Sequence, residues 1–217
     1  MLILFDIDGV LFREKNVWLR VHEAYGTLEE GLVLTKQYLK TDYNRLVEEA
    51  VGRLLKGKPA GPFLRIIKQS SYNPGVKETI AELHRRGHTL GIITSGPRQL
   101  MERAQRELKI DDGFANDLVI ADDKIAGHAH YADGSSCWPV GADDKEPFVR
   151  LLCKKHGYML AETAFIGDSA ADLKAFRIVG LPIAFNDAPE ELVAVAEEKG
   201  GAHVQGNDLR AILPFFD

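Results

Sequence analysis

Residues 2–12, Leu2-Ile3-Leu4-Phe5-Asp6-Ile7-Asp8-Gly9-Val10-Leu11-Phe12, decide how the 217-residue chain reads. Four apolar residues without alternation predict a short strand covered on both faces, and the run halts abruptly at Asp6. Two carboxylates one residue apart do not sit comfortably in a packed parallel strand. The chain is therefore expected to leave the sheet here and present Asp6 and Asp8 together. Asp8-Gly9 between apolar flanks is also a hairpin signal, and these residues alone leave that alternative open.

From Trp18 to about Lys68 no comparable strand follows. Segments such as YNRLVEEAVGRLL (43–55) repeat apolar residues at helical spacing, with breaks expected at Gly26, Gly31 and the GKPAGP stretch. After Asn73-Pro74-Gly75 the pattern changes. VKETIAELHRRG predicts a helix closed by Gly87, HTLGIIT a strand, and PRQLMERAQREL another helix. Residues 114–131 read as a β-ribbon turning near Asp122-Asp123, and HYADGSSCWPVGADD (130–144) as loop. TAFIG and LPIAF are further strands, with helices starting near Ser169 and Ala188. Helical crossovers of this length return the chain in the same direction, so the expectation is an open α/β parallel sheet with an insertion after its first strand.

Composition narrows the function classes. The chain is 45% hydrophobic, enough to fill a core, which excludes disorder. Twenty-seven Lys and Arg against 32 Asp and Glu leave a net charge of -5, which provides no basic field for polyanions, so no nucleic-acid partner is expected. No run approaches the ~18–20 apolar residues of a bilayer span, and no basic segment precedes the first strand. The expectation is a soluble, cytoplasmic protein with no membrane partner. Cys137 and Cys153 lack disulfide or metal spacing and read as reduced thiols. His128 and His130 share one face of a strand without an apparent third ligand. The Arg85-Arg86 and Lys154-Lys155 pairs read as solvated helix ends.

In an open α/β sheet the ligand crevice lies outside the carboxyl ends of the strands. One strand there delivers Thr94-Ser95-Gly96, hydroxyls and amides at the head of a helix, which read as an anion cradle or as plain capping by Ser95. Another delivers Gly167, Asp168, Ser169 and Asp172, where Ser169 and Asp172 also form a capping-box pattern. A site gathering Asp6, Asp8, Asp168 and Asp172 repels itself, since like charges ~4 Å apart cost roughly 4 kcal/mol at an effective dielectric of 20. A hard divalent cation removes that cost, and oxygen-only ligands suit Mg²⁺. The hydroxyls and amides at 94–96 then face an anion, for which a phosphoryl group is the obvious candidate.

As a set, FDIDGVL, the strand-end Thr94, a downstream lysine and GDSAAD (167–172) resemble the four motifs of the haloacid dehalogenase-like hydrolases. More narrowly the chain is similar to phosphoserine phosphatases and their close relatives. That likeness runs through FANDLVIADDKIAGHAHYADG (114–134), DDKEPF (143–148) and GDSAADLKAFRIVGLPIAFN (167–186). The resemblance implies a three-layer Rossmann-like parallel-sheet core from residues 1–12 and 73–217, with a helical cap at 13–72. It implies Asp6 as nucleophile and Asp8 as acid and then base. Mg²⁺ would be held by the Asp6 carboxylate, the Asp8 backbone carbonyl and Asp168, with Asp172 a ligand or its support. Gly9, Thr94, the Ser95 amide and Lys145 would take phosphoryl oxygens. The implied activity is hydrolysis of a small phosphorylated metabolite by a monomer or homodimer. A phosphotransferase, or a silent phosphate-binding module, is the alternative.

Departures from that pattern bear on the substrate. Gly9-Val10 stands where phosphoserine phosphatases carry Ser or Thr, and Ala171 replaces an amide. The cap arginine of those enzymes aligns with Glu49 or Ala50, with Arg45 and Arg53 one helical turn away. Glu14, Lys15, Trp18 and Tyr43 are the candidate specificity residues, and Trp138 beside Pro139 is expected over the entrance or folded on its loop.

Overall fold

The protein is described by a computed structural model covering residues 1–129, 131–132, 137–138, 140–141 and 144–217. The chain opens with β1 (Leu2–Phe5) and then enters a helical block. This holds α1 (Val17–Ala24), α2 (Leu28–Tyr38), α3 (Tyr43–Val47), a π-helix (Glu48–Leu55) and α4 (Gly61–Gln69). Next come α5 (Val76–Arg85), β2 (Thr89–Pro97), α6 (Arg98–Leu108), β3 (Asp112–Ala121) and β4 (Lys124–Ala129). A small pair, β5 (Tyr131–Ala132) and β6 (Cys137–Trp138), precedes α7 (Glu146–His156) and β7 (Thr163–Gly167). A 3₁₀ turn (Ala170–Asp172), α8 (Leu173–Ile178), β8 (Leu181–Phe185), α9 (Glu190–Glu198), β9 (Ala202–Val204) and a 3₁₀ helix (Leu209–Phe216) complete it.

Seven of these strands form one sheet in the order β4-β3-β2-β1-β7-β8-β9, apart from the antiparallel β5–β6 pair. Within the sheet all pairings are parallel except β3 with β4. The central β1 carries side chains that are 0% exposed on both faces, as continuous apolar strands in parallel sheets require. Ile3 and Phe5 join the cluster built with α5, α6 and the C-terminal 3₁₀ helix, while Leu2 and Leu4 join that of α7, α8 and α9. Three layers result. Register then decides where the chemistry falls, because Phe5 lies opposite Ile92 of β2 and Ile166 of β7. Asp6, Thr94 and Asp168 therefore emerge side by side at the carboxyl edge.

Several expectations meet a physical correction. Gly31 does not break a helix; it lies inside α2 against the His22 ring, where an added Cβ would stand 3.0–3.1 Å from the imidazole. The segment 43–55 is one continuous helical stretch, capped by the Asp42 side chain on the Arg45 amide, but its second part is π-helical. β2 runs on to Pro97 with a register shift between Ile93 and Pro97, so Thr94-Ser95-Gly96 lie in its irregular end. Pro97 sits at the start of α6 without a side-chain cap, and the Ser95 capping alternative is not realised. The expected ribbon turns at Asp122 (φ 49°) and Asp123 (φ 57°), a pair of left-handed residues suited to a tight hairpin. It is not a free ribbon, since β3 extends the main sheet. Arg86 is no solvated end: it donates to the Leu213 carbonyl and pairs with Asp217, holding the C-terminal helix. Among the described residues no helix is long and apolar enough to cross a membrane.

Candidate active site

Asp6 follows β1 directly, and its amide donates to the Ile166 carbonyl at 3.0 Å, which extends the β1–β7 ladder by one residue. Its Oδ1 accepts from the Ile7 amide at 2.6 Å and its Oδ2 pairs with Lys145 Nζ at 2.7 Å. After Ile7 the chain turns sharply, with the Leu11 and Phe12 amides both donating to the Ile7 carbonyl. The hairpin alternative at Asp8-Gly9 is thus not formed. Gly9 has φ +75°, and a Cβ there would overlap Asp168 Oδ2. The residue that departs from the resembled pattern is held to glycine by both its backbone and its neighbour.

Asp8 places Oδ2 2.9 Å from the Val17 amide, at the head of α1, while its Oδ1 is buried with no hydrogen-bond partner among the described residues. Burial pushes the Asp8 carboxyl up to about 7 against the lowering effect of the Val17 amide, and the Asp6 charge pushes it further the same way. A carboxyl so placed keeps a proton near neutrality, the condition for giving one up and taking one back.

Lys145 departs furthest from the ordinary behaviour of a lysine between charged neighbours. It is 0% exposed and bridges Asp6 Oδ2 and Asp172 Oδ1, each at 2.7 Å. Burial opposes its charge, but Asp172 and then Asp6 more than offset that, and the ammonium pKa ends raised. Asp172, the last residue of the 3₁₀ turn, closes the cluster, its Oδ2 accepting from the Ser169 amide and hydroxyl at 3.2 and 3.3 Å. The capping box expected here is formed, and the same carboxylate faces the site through its other oxygen. Burial raises the Asp172 carboxyl despite Lys145. Asp168 is pushed up to about 8, by burial first and then by Asp6 and Asp172.

Asp6, Asp168 and Asp172 bring carboxylate oxygens within 4.8 Å of one another. Three carboxylates against one ammonium leave two formal negative charges, which a divalent cation neutralises. The donor set is oxygen only, and the raised pKa values of Asp168 and Asp172, caused first by burial and then by the neighbouring carboxylates, show that the cluster does not carry its negative charge easily by itself. The residues present fit a hard divalent metal ion.

Thr94 is 1% exposed, with its Oγ1 accepting from the Gly96 amide at 3.0 Å, and Ser95 lines the cavity beside it. Of the specificity candidates, Lys15, Trp18 and Tyr43 line the cavity. Lys15 is paired with Asp187 at 3.0 Å, and the Trp18 indole donates to the Ser95 carbonyl at 3.0 Å. Glu14 does not line it; its side chain pairs with Arg20 while its carbonyl accepts from the Gly9 amide, so it shapes the turn after Asp8. Arg45 and Arg53 both pair with Glu49, at 2.8 and 2.7 Å, on the solvent side of their helix, and neither lines the cavity. Ala50 does line it. His128 also lines it, whereas His130 and Pro139 lie outside the described residues, as does the side chain of Trp138.

One residue escaped the sequence reading. Asn116 donates from Nδ2 to the Ser95 carbonyl (2.9 Å), the Val140 carbonyl (3.1 Å) and the Tyr43 hydroxyl (3.2 Å), and its Oδ1 accepts from the Val140 amide. This one amide ties α3, the end of β2 and the segment before Lys145 together. Burial pushes the Tyr43 phenol up to about 12, against the contrary effect of Asn116. The available signal was an amide in the middle of a strand, where Asn is uncommon and a buried one must find partners.

Comparison with known proteins agrees with this geometry. Residues 3–177 match the haloacid dehalogenase-like hydrolase family. The phosphoserine phosphatase of Methanocaldococcus jannaschii is 30% identical over 216 residues, covering 99% of this chain and 96% of that one. That of Streptococcus thermophilus is 30% identical over 190 residues, 87% of this chain and 85% of that one. Among solved structures, a phospho-aspartyl intermediate analogue of phosphoserine phosphatase superposes with a TM-score of 0.80 at 29% identity, over 100% of this chain and 98% of that one. A substrate-bound phosphoserine phosphatase complex gives 0.80 at 27%, with the same coverage. With its catalytic-type carboxylates on the strand ends where the fold gathers them, the chain belongs to the haloacid dehalogenase-like hydrolases.

Proposed function

We propose that the protein is a Mg²⁺-dependent phosphatase that hydrolyses a small phosphomonoester through a covalent aspartyl-phosphate, an acyl phosphate on Asp6. The observation that carries this is the cluster of Asp6, Asp168 and Asp172 around the buried ammonium of Lys145, next to the hydroxyl and amide groups of 94–96. Asp6 attacks phosphorus through a carboxylate oxygen and the bond from phosphorus to the leaving oxygen breaks. Asp8 gives that oxygen its proton. Asp8 then takes a proton from water, the water oxygen attacks phosphorus, and the bond to Asp6 breaks to release inorganic phosphate. Thr94, the Ser95 amide and Lys145 hold the phosphoryl oxygens where charge accumulates, and Gly9 lets the backbone approach them. Asp6, Asp168 and Asp172, with the Asp8 carbonyl, would hold Mg²⁺. That ion would supply Lewis-acid stabilisation of the non-bridging oxygens. The helical block, residues 13–72, serves as a cap over the core formed by 1–12 and 73–217 and excludes water from the site. The presence of both Asp6 and Asp8 supports turnover over mere phosphate binding. Appearance of free phosphate, with no phosphorylated acceptor, separates hydrolysis from transfer.

Three measurements test this reading. Phosphate release from p-nitrophenyl phosphate is expected to vanish in EDTA and return on adding Mg²⁺. Independently of activity, Mg²⁺ at a hundred times its Kd stabilises the fold by about 2.7 kcal/mol, a Tm rise of about 5–10 °C for a chain of this size. No rise in Tm at millimolar Mg²⁺ counts against the acidic cluster as its site. In Asp8→Asn, alkyl phosphates, whose leaving groups need a proton, are expected to lose about 10²–10⁴-fold in kcat/KM, and p-nitrophenyl phosphate much less. Equal losses across leaving groups remove Asp8 from the acid's role.

A further inference from the structure

The cavity over Asp6 encloses about 560 Å³, within the roughly 300–1,000 Å³ of ordinary small-molecule sites, so there is room for far more than a phosphoryl group. The helices of residues 17–55 contribute Leu19, Leu32, Leu39, Leu46, Ala50 and Val51 to its wall, alongside the polar His22 and Thr35. Two of these are large apolar side chains left open to solvent, Leu19 at 42% and Leu32 at 49% exposure, although each faces the same cavity as the reactive carboxylates. Exposed leucines that converge on a pocket, rather than lying scattered, mark a surface meant to be covered by an apolar ligand.

The charges around this wall argue in the same direction. Two lysines line the cavity among the described residues, Lys15, which pairs with Asp187, and Lys40, an exposed residue; Lys145 is fully buried, held by Asp6 and Asp172, and does not line it. The two guanidinium groups of the neighbouring helix, on Arg45 and Arg53, are turned away onto Glu49. A substrate carboxylate carried into the apolar wall would lose its hydration without a bidentate partner, whereas an alkyl or aryl group gains by burial there. Resting on the phosphatase reading above, we infer that the substrate is a phosphomonoester of an uncharged, largely apolar alcohol, whose chain lies along α1, α2 and the π-helix. It is not an amino-acid phosphate.

The test is a series of n-alkyl phosphates, ethyl to hexyl, compared with L-phosphoserine in saturating Mg²⁺. The alkyl leaving groups have nearly the same basicity, so chain length isolates burial. The value of kcat/KM is expected to rise about threefold per methylene, so hexyl phosphate exceeds ethyl phosphate by tenfold or more, and L-phosphoserine does no better than ethyl phosphate. In the double variant Leu19→Asn, Leu32→Asn, both positions being exposed enough to tolerate it, the slope against chain length flattens. Phosphate release that is fastest from L-phosphoserine, or a chain-length slope near zero, overturns the inference and leaves the phosphatase reading standing. An unchanged slope in the double variant overturns the assignment of this wall. No release from any ester sinks both readings together.

Discussion

In Asp6→Asn, phosphate release is expected to fall by about 10⁴-fold or more, because the amide oxygen is a poor nucleophile and cannot form the acyl phosphate. The fold should survive. The Ile7 amide can still donate to the amide oxygen that replaces Oδ1, and Lys145 keeps its 2.7 Å partner Asp172. Removing one of three mutually repelling carboxylates also lowers the charge that a cation is needed to balance, so the Mg²⁺-induced rise in Tm should shrink in the same variant. Activity above a tenth of wild type, in protein shown to contain no reverted residue, would remove Asp6 as the attacking group. A full Mg²⁺ response alongside lost activity would place the metal elsewhere.

Lys145→Met is expected to be the most damaging substitution in the cluster for stability. It keeps the volume of the fully buried side chain but removes the positive charge that bridges Asp6 and Asp172. Breaking a buried pair in this way costs about 3–5 kcal/mol, or roughly 6–20 °C in Tm. The loss should be greatest in EDTA and partly restored by Mg²⁺. Adding Asp172→Asn to Lys145→Met relieves the stranded carboxylate, so the double variant should be more stable than Lys145→Met alone, a coupling readable as a double-mutant cycle by thermal denaturation. Additive losses would mean that the two side chains do not act as the pair seen here.

The sheet and the groups at its carboxyl edge were legible in the sequence for a specific reason: apolar runs in a parallel sheet are bounded by the groups they deliver. LILF ends in Asp6, TLGIIT in Thr94, and TAFIG in Asp168, so each strand announced both its existence and its contribution. Their convergence needed only the parallel topology, which helices of crossover length dictate. Other features had no one-dimensional trace. A three-residue strand such as Ala202–Val204 is too short to show a period. The π-helical continuation of 43–55 keeps the apolar spacing of an α-helix well enough to pass for one. Lys145 lies among charged neighbours, and its burial follows from Asp6 and Asp172, 139 and 27 residues away respectively in the chain. Without the likeness to a family it reads as a surface charge. Glu14 illustrates the opposite error: it stood among the candidate specificity residues of the cap, but its side chain is taken by Arg20 and does not line the cavity.

The central position of β1 also constrains how the enzyme comes into being. Asp6 and Asp168 are 162 residues apart, yet their strands are hydrogen-bonded neighbours. At about 5–20 residues per second of synthesis, the amino terminus waits roughly 8–30 s for β7 to exist. During that interval the most apolar strand of the protein has only β2 beside it and an open edge on the other side. Nascent chains stalled before residue 163 should therefore be the species that chaperones hold and that aggregates recruit, and competence for catalysis arrives abruptly, when one late strand closes the middle of the sheet.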